Sequence, residues 1–248
     1  VTDALGWKAK IGIVMPSTNT VVQPECDDLR PVGVTNHIGR AHLIPKKLEP
    51  GEQALLAHME AMRAGIGAAI DRVVTCKPDY LVMGVALEAF AGGVAASEAL
   101  TKELAERAGV PVSIGSTATC AALNAYGAKR IAILTPHQPE GDEVVRAYMI
   151  DAGFEVVRLK GFKCPSPMAI AEVSLDDIRT SLHELDGDDV DALVQVGTNL
   201  AGMRVAAETE PLLGKPVLSI NAVTYWHALR ALKIDDRVSG CGRILEEF

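Results

Sequence analysis

Most residues of this chain that can do chemistry sit just after short apolar runs. Ser17, Thr18, Asn19 and Thr20 follow the run at 11–15, and Gly84, Val85 and Ala86 follow the run at 80–83. Gly197, Thr198 and Asn199 follow the run at 193–196, and His137 comes after Thr135 and Pro136 at the end of 131–134. Small hydroxyl and amide side chains at such turns bond neighbouring backbone and leave N–H groups pointing outward, which suits a carboxylate. Glycine lets a ligand come close to those N–H groups, and an imidazole can move a proton near neutral pH. Together these residues predict a small carboxylate held by Ser17, Thr18, Asn19, Gly84, Val85, Ala86, Gly197, Thr198 and Asn199, with His137 as the catalytic group. A plainer reading sets Asn19 as a turn cap and the glycines as tight turns; both can hold at once. Glu88, one turn beyond Gly84, reads as a base or, more simply, as a first-turn helix acid facing the positive end of the dipole. His42, His58, His183 and His227 read as structural or surface residues. Cys164, in a Pro-rich loop that reads as exposed, is a weaker nucleophile candidate, and Cys76 and Cys120 read as core.

Positioning these residues requires strands that end at one place. The runs at 11–15, 80–83, 112–114, 131–134, 193–196 and 217–220 read as buried strands. Helical spacing separates them: Leu55, Met59, Met62, Ile66, Ile70 and Val73; Leu100 and Leu104; Val145, Met149 and Ala152; and the span 222–232. Ser174, three residues before Asp177, marks the start of a further helix through Ile178 and Leu182. Alternating strands and helices predict an α/β fold with a parallel sheet covered on both faces. In such sheets ligands bind at the carboxyl ends of the strands, which is where the residues above lie. The parts also repeat. KIGIVMPSTN at 10–19 matches RIAILTPHQ at 130–138, DYLVMG at 79–84 matches DALVQVG at 191–197, and VPVSI at 110–114 matches KPVLSI at 215–220. The chain therefore divides into a first half, 1–115, and a second, 116–220, with 221–248 packing back on the first. A cleft between the halves is the expected site.

The chain has 248 residues and a formal net charge of −8. That charge disfavours nucleic acid, whose phosphates need a basic face. Five cysteines, an odd count with no CxxC pair, argue against a disulfide framework or a zinc site and for a reducing cytoplasm. No apolar run approaches a bilayer span, so no membrane is expected. Residues 1–10 are mixed and polar, unlike a secretory leader, and a start at Val1 reads as an incomplete N-terminus. No GxGxxG follows a strand and no Walker loop appears, so no nucleotide cofactor is indicated.

The stretch Ile13-Val14-Met15-Pro16-Ser17-Thr18-Asn19-Thr20, followed by Glu25, resembles the opening motif of the maleate cis-trans isomerases. The paired halves resemble the wider Asp/Glu racemase superfamily, which includes arylmalonate decarboxylase. Met83-Gly84, Gly127-Ala128-Lys129-Arg130-Ile131-Ala132 and Gly214-Lys215-Pro216-Val217 extend the similarity over nearly the whole chain. The resemblance implies two Rossmann-like, flavodoxin-like halves related by a pseudo-twofold axis, no cofactor, a homodimer or higher homo-oligomer, and a small carboxylate between the halves. It implies that Asn19 contacts the substrate carboxylate, and that His137 stands where those enzymes have a tyrosine. Likeness to the racemases and maleate isomerases also implies a cysteine at each of two equivalent strand ends, and likeness to arylmalonate decarboxylase a glycine at the first and a cysteine at the second. Here these positions are Gly84 and Gly197, or Val196 with a one-residue slip. The expected activity is therefore a cofactor-independent isomerase or lyase, decarboxylase-like, acting on a mono- or dicarboxylate. The alternative is a carboxylate-binding or sensing protein that has lost turnover.

Overall fold

A computed structural model describes residues 3–248; the expected N-terminal incompleteness concerns residues outside that range. Eight strands and ten helices follow one another as β1 (Ala9–Pro16), α1 (Val22–Leu29), β2 (Val34–Ala41), α2 (Glu52–Val73), β3 (Tyr80–Met83), α3 (Leu87–Phe90), α4 (Gly93–Ala108), β4 (Val112–Ser113) and α5 (Gly115–Ala125). The second half continues with β5 (Arg130–Thr135), α6 (Pro139–Asp151), β6 (Glu155–Gly161), α7 (Leu175–Leu185), β7 (Ala192–Gln195), α8 (Met203–Leu213), β8 (Val217–Ser219), α9 (Ile220–Ala231) and α10 (Arg243–Glu247).

The strands form two parallel four-stranded sheets of identical order, β2-β1-β3-β4 and β6-β5-β7-β8. β1 and β5 lie inside their sheets and are covered on both faces, so they read as almost unbroken apolar runs. Where β1 meets β3, Ile11 aligns with Tyr80 and Val14 with Met83. In the second half Ile131 aligns with Ala192 and Leu134 with Gln195. The α/β fold with two like halves is thus as the sequence predicts.

The covering helices follow from their apolar rows. Along α2 the buried residues are Met59, Met62, Ile66, Ala69, Ile70 and Val73, spaced to make one face of a helix. Ser174 caps α7, its hydroxyl accepting from the Asp177 N–H at 3.1 Å.

β8 stays in the second sheet, and α9 crosses to lie against α1, β3 and β4 of the first. Its counterpart α5 packs on α9. A Cβ at Gly115 would stand 2.6 Å from Ile220 Cδ1, which shows how tightly the two crossing helices meet. One apolar core runs through both halves as a result, from Ile11 and Ile13 through Ile114 and Tyr225 to Ile133 and Val194. A smaller core lies under α7 on the other face of the second sheet. The seam between the sheets is therefore rigid, and the carboxyl ends of β1, β3, β5 and β7 face it.

Candidate active site

A cavity of about 330 Å³ opens along that seam. The first half contributes Thr18, Asn19, Val85, Ala86, Leu87, Glu88 and His58 to its wall, and the second contributes His137, Gly197, Thr198 and Asn199. Backbone donors supply the first element of its chemistry. The N–H groups of Thr18, Val85, Ala86, Gly197, Thr198 and Asn199 have no backbone acceptor. Val85, Ala86, Thr198 and Asn199 are all buried, and a buried N–H without a protein partner is a donor open to a ligand in the cavity that these residues line. A carboxylate or an enediolate supplies the acceptor.

Side chains knit the two halves around this cradle. Asn19 Oδ1 accepts from the N–H groups of Val21 at 3.0 Å and Val22 at 2.9 Å, capping α1. Asn19 Nδ2 donates across the seam to Thr198 Oγ1 at 3.3 Å, and that hydroxyl donates to the Gly84 carbonyl at 3.1 Å. An amide nitrogen carries two hydrogens, so one remains for a ligand. Asn199 is a strut: Oδ1 accepts from Thr20 N–H at 2.9 Å and Nδ2 donates to the Pro167 carbonyl at 2.8 Å. Behind the cradle, Glu25 accepts from Asn221 Nδ2 at 2.6 Å and from the Met203 N–H at 3.1 Å, and burial pushes its carboxyl up to about 7.

Two residues assigned to the ligand by the sequence serve the frame instead. Gly84 does not line the cavity, and its N–H is spent on the Val14 carbonyl at 2.7 Å, continuing the sheet. Ser17 is also outside it; its hydroxyl accepts from the Leu43 N–H at 3.0 Å and anchors the wall segment that follows β2. That segment is tied to the second half by Leu48 N–H donating to the Pro165 carbonyl at 2.7 Å.

His137 lines the cavity with only 8% exposure, and its Nε2 is buried without a partner. Thr135 Oγ1 fixes the turn by accepting from the His137 N–H at 3.1 Å. Burial, and then the neighbouring imidazole of His58, push the His137 imidazole down to about 3. A neutral ring therefore faces the cavity near pH 7, not the imidazolium that a proton donor would need. Glu88, read from sequence as a base or a first-turn helix acid, and His58, read as structural or surface, also line the cavity. Glu88 is 5% exposed and its Oε1 is buried without a partner. The signals were present: Glu88 follows the strand-end glycine by four residues, and His58 falls in the same row of α2 as Leu55 and Met62.

No cysteine lines the cavity among the described residues. The exposed loop expected to carry Cys164 is closed over it: the residue is 4% exposed, and burial raises its thiol to about 11. A thiol so protonated is a poor nucleophile.

Comparison with known proteins agrees with this architecture. The chain is 26% identical to a maleate isomerase from Pseudomonas putida, over 95% of this chain and 96% of that protein. It is 24% identical to an arylmalonate decarboxylase from Bordetella bronchiseptica, over 96% of each. The structure of Nocardia farcinica maleate cis-trans isomerase with a covalently bound succinylcysteine intermediate superposes with a TM-score of 0.87, at 22% identity over 96% of this chain and 98% of that one. The family model for arylmalonate decarboxylase matches residues 65–245, nearly three-quarters of the length. The chain belongs to the arylmalonate decarboxylase family, within the Asp/Glu racemase-like superfamily.

Proposed function

We propose that this protein is a cofactor-independent lyase or isomerase, decarboxylase-like, acting on a small mono- or dicarboxylate held between its two halves. The observation that carries this reading is the set of residues from both halves that line one cavity and whose N–H groups have no backbone acceptor. Losing carbon dioxide from a malonate-type acid leaves an electron pair delocalised over the remaining carboxylate as an enediolate. Fixed N–H donors stabilise that charge more than they stabilise the starting acid, and one well-placed donor contributes about 3 kcal/mol to the barrier.

His137 is the catalytic side chain. Its neutral imidazole offers Nε2 to the reacting group, and an anion held nearby raises its basicity. Decarboxylation suits this set better than maleate isomerisation. Rotation about a carbon–carbon double bond needs an added nucleophile, and the cavity wall contains no thiol.

The test is a panel of phenylmalonate, methylmalonate, maleate and aspartate, followed for binding and product. His137→Ala is expected to cut turnover about 100-fold, while Cys164→Ala leaves it unchanged. A second reading, a carboxylate sensor, is favoured by the glycines at both thiol positions; tight binding with no turnover, indifferent to His137→Ala, would establish it.

A further inference from the structure

The cavity has a second set of polar groups. His137 Nε2, Glu88 Oε1 and Glu140 Oε2 are all buried without a hydrogen-bond partner, and all three residues line the cavity. Buried polar atoms are rarely left unpaired, and three around one void mark a place where a ligand's polar groups complete the set. His137 and α3 are close neighbours: a Cβ on Gly141 would sit 2.9 Å from His137 Cβ and 3.4 Å from Leu87 Cδ2. Glu88 is the next residue along.

Resting on the lyase reading above, we propose that Glu88 is the proton donor of this site, delivering its carboxyl proton to the carbon that loses carbon dioxide, with His137 hydrogen-bonded to the enediolate. The step balances. The bond from the α-carbon to the departing carboxylate breaks and its electron pair enters the enediolate. The α-carbon then takes the Glu88 proton, and the resulting carboxylate is reprotonated by water. The substrate is thus a malonate-type acid with its retained carboxylate in the amide cradle and its reacting carbon towards α3.

The surroundings suit an acid that is neutral near pH 7. Burial pushes Glu88 up to about 7, with its own N–H and Arg63 drawing it down. The titratable groups around it are His58 and Arg63 of α2, His137 after β5 and Glu140 of α6. α4 and α5 also pack on α3 but bring no residue to the cavity. Neither imidazole opposes the role, because burial lowers both His58 and His137. The sign follows: Glu88 holds its proton below about pH 7 and loses it above, so turnover falls as pH rises through that value.

The experiment uses the full chain with phenylmalonate, methylmalonate and maleate, reading carbon dioxide release and, in deuterium oxide, label at the α-carbon. Wild type is expected to release carbon dioxide from a malonate, with activity declining above about pH 7. Glu88→Gln is expected to lower kcat about 100-fold with KM little changed, and to abolish that decline. Glu88→Asp recovers part of kcat and keeps the decline, and melting curves of both variants show the fold retained. Activity of Glu88→Gln within threefold of wild type, or an unchanged pH profile, overturns the role of Glu88 and leaves the lyase reading standing. A wild type that converts none of the three acids overturns both.

Discussion

Cysteine introduced at Gly197 destabilises the protein by about 3 kcal/mol and brings no thiol-dependent turnover. Gly197 has φ of +115°, a region that a residue with a side chain occupies at a cost of about 1–3 kcal/mol. Its Cβ would also lie 2.4 Å from Pro136 Cδ, and overpacking of that kind adds about 1–3 kcal/mol. Pro136 belongs to the turn that carries His137, so it cannot move without displacing the histidine. The first strand end behaves differently. Gly84 has an ordinary backbone conformation, and its Cβ would meet Val22 Cγ1 at 2.8 Å. Gly84→Cys is therefore expected to lose stability that Val22→Ala partly restores, whereas trimming a single side chain does not rescue Gly197→Cys. Thermal denaturation of the three variants checks this. A Gly197→Cys protein that melts with wild type, or that converts maleate through a cysteine adduct, contradicts it. The glycines are thus built into the geometry of the two turns.

The same local packing explains what the sequence reveals and what it hides. Six strands are legible because they are buried on both faces. β2, with Thr35, Asn36, His37 and Arg40 among its eight residues, and β6, with Glu155, Arg158 and Lys160 among its seven, are edge strands. Most of their side chains are partly exposed, whereas those of the other two edge strands, β4 and β8, are buried, so only β2 and β6 lack the apolar run. α8 is obscured by Pro211 within its last turn, where a proline ordinarily signals a helix end. The site was legible through the strand-end rule as far as Thr18, Asn19, Val85, Ala86, His137 and Gly197–Asn199, all of which line the cavity. That rule locates a residue near the cleft without saying whether its polar atoms are already taken. Ser17 and Gly84 are spent on Leu43 and Val14. Position in the sequence brings Glu88 and His58 near the cleft, but three-dimensional packing is needed to show that both reach the cavity. A single carboxylate in the first turn of a helix looks the same in sequence whether it meets water or a cavity.

Asn19 carries two duties, and two substitutions separate them. Asn19→Ala removes the cap from the Val21 and Val22 N–H groups and is expected to lower stability by about 2 kcal/mol. It also removes Nδ2, and with it the bond to Thr198 and the spare hydrogen facing the ligand. Asn19→Ser restores a cap acceptor of a type that helix starts favour equally, but offers no amide. It is therefore expected to melt within about 1 kcal/mol of wild type. Its kcat/KM, for whichever acid the wild type converts, is expected to fall about as far as that of Asn19→Ala. That fall is roughly 100-fold, the effect of deleting one donor to a developing anion. Thr198 lies on the same path: its hydroxyl accepts from Asn19 and donates to Gly84, so Thr198→Val should add little to the loss already present in Asn19→Ser. Comparable activity in wild type and Asn19→Ser, with loss confined to Asn19→Ala, would reduce Asn19 to a helix cap and move carboxylate recognition onto the main-chain N–H groups alone. Asn19 and Thr198 are hydrogen-bonded to each other, so their changes are coupled in stability whatever the site holds; coupling in kcat/KM that exceeds the coupling in melting temperature is what assigns both to one ligand.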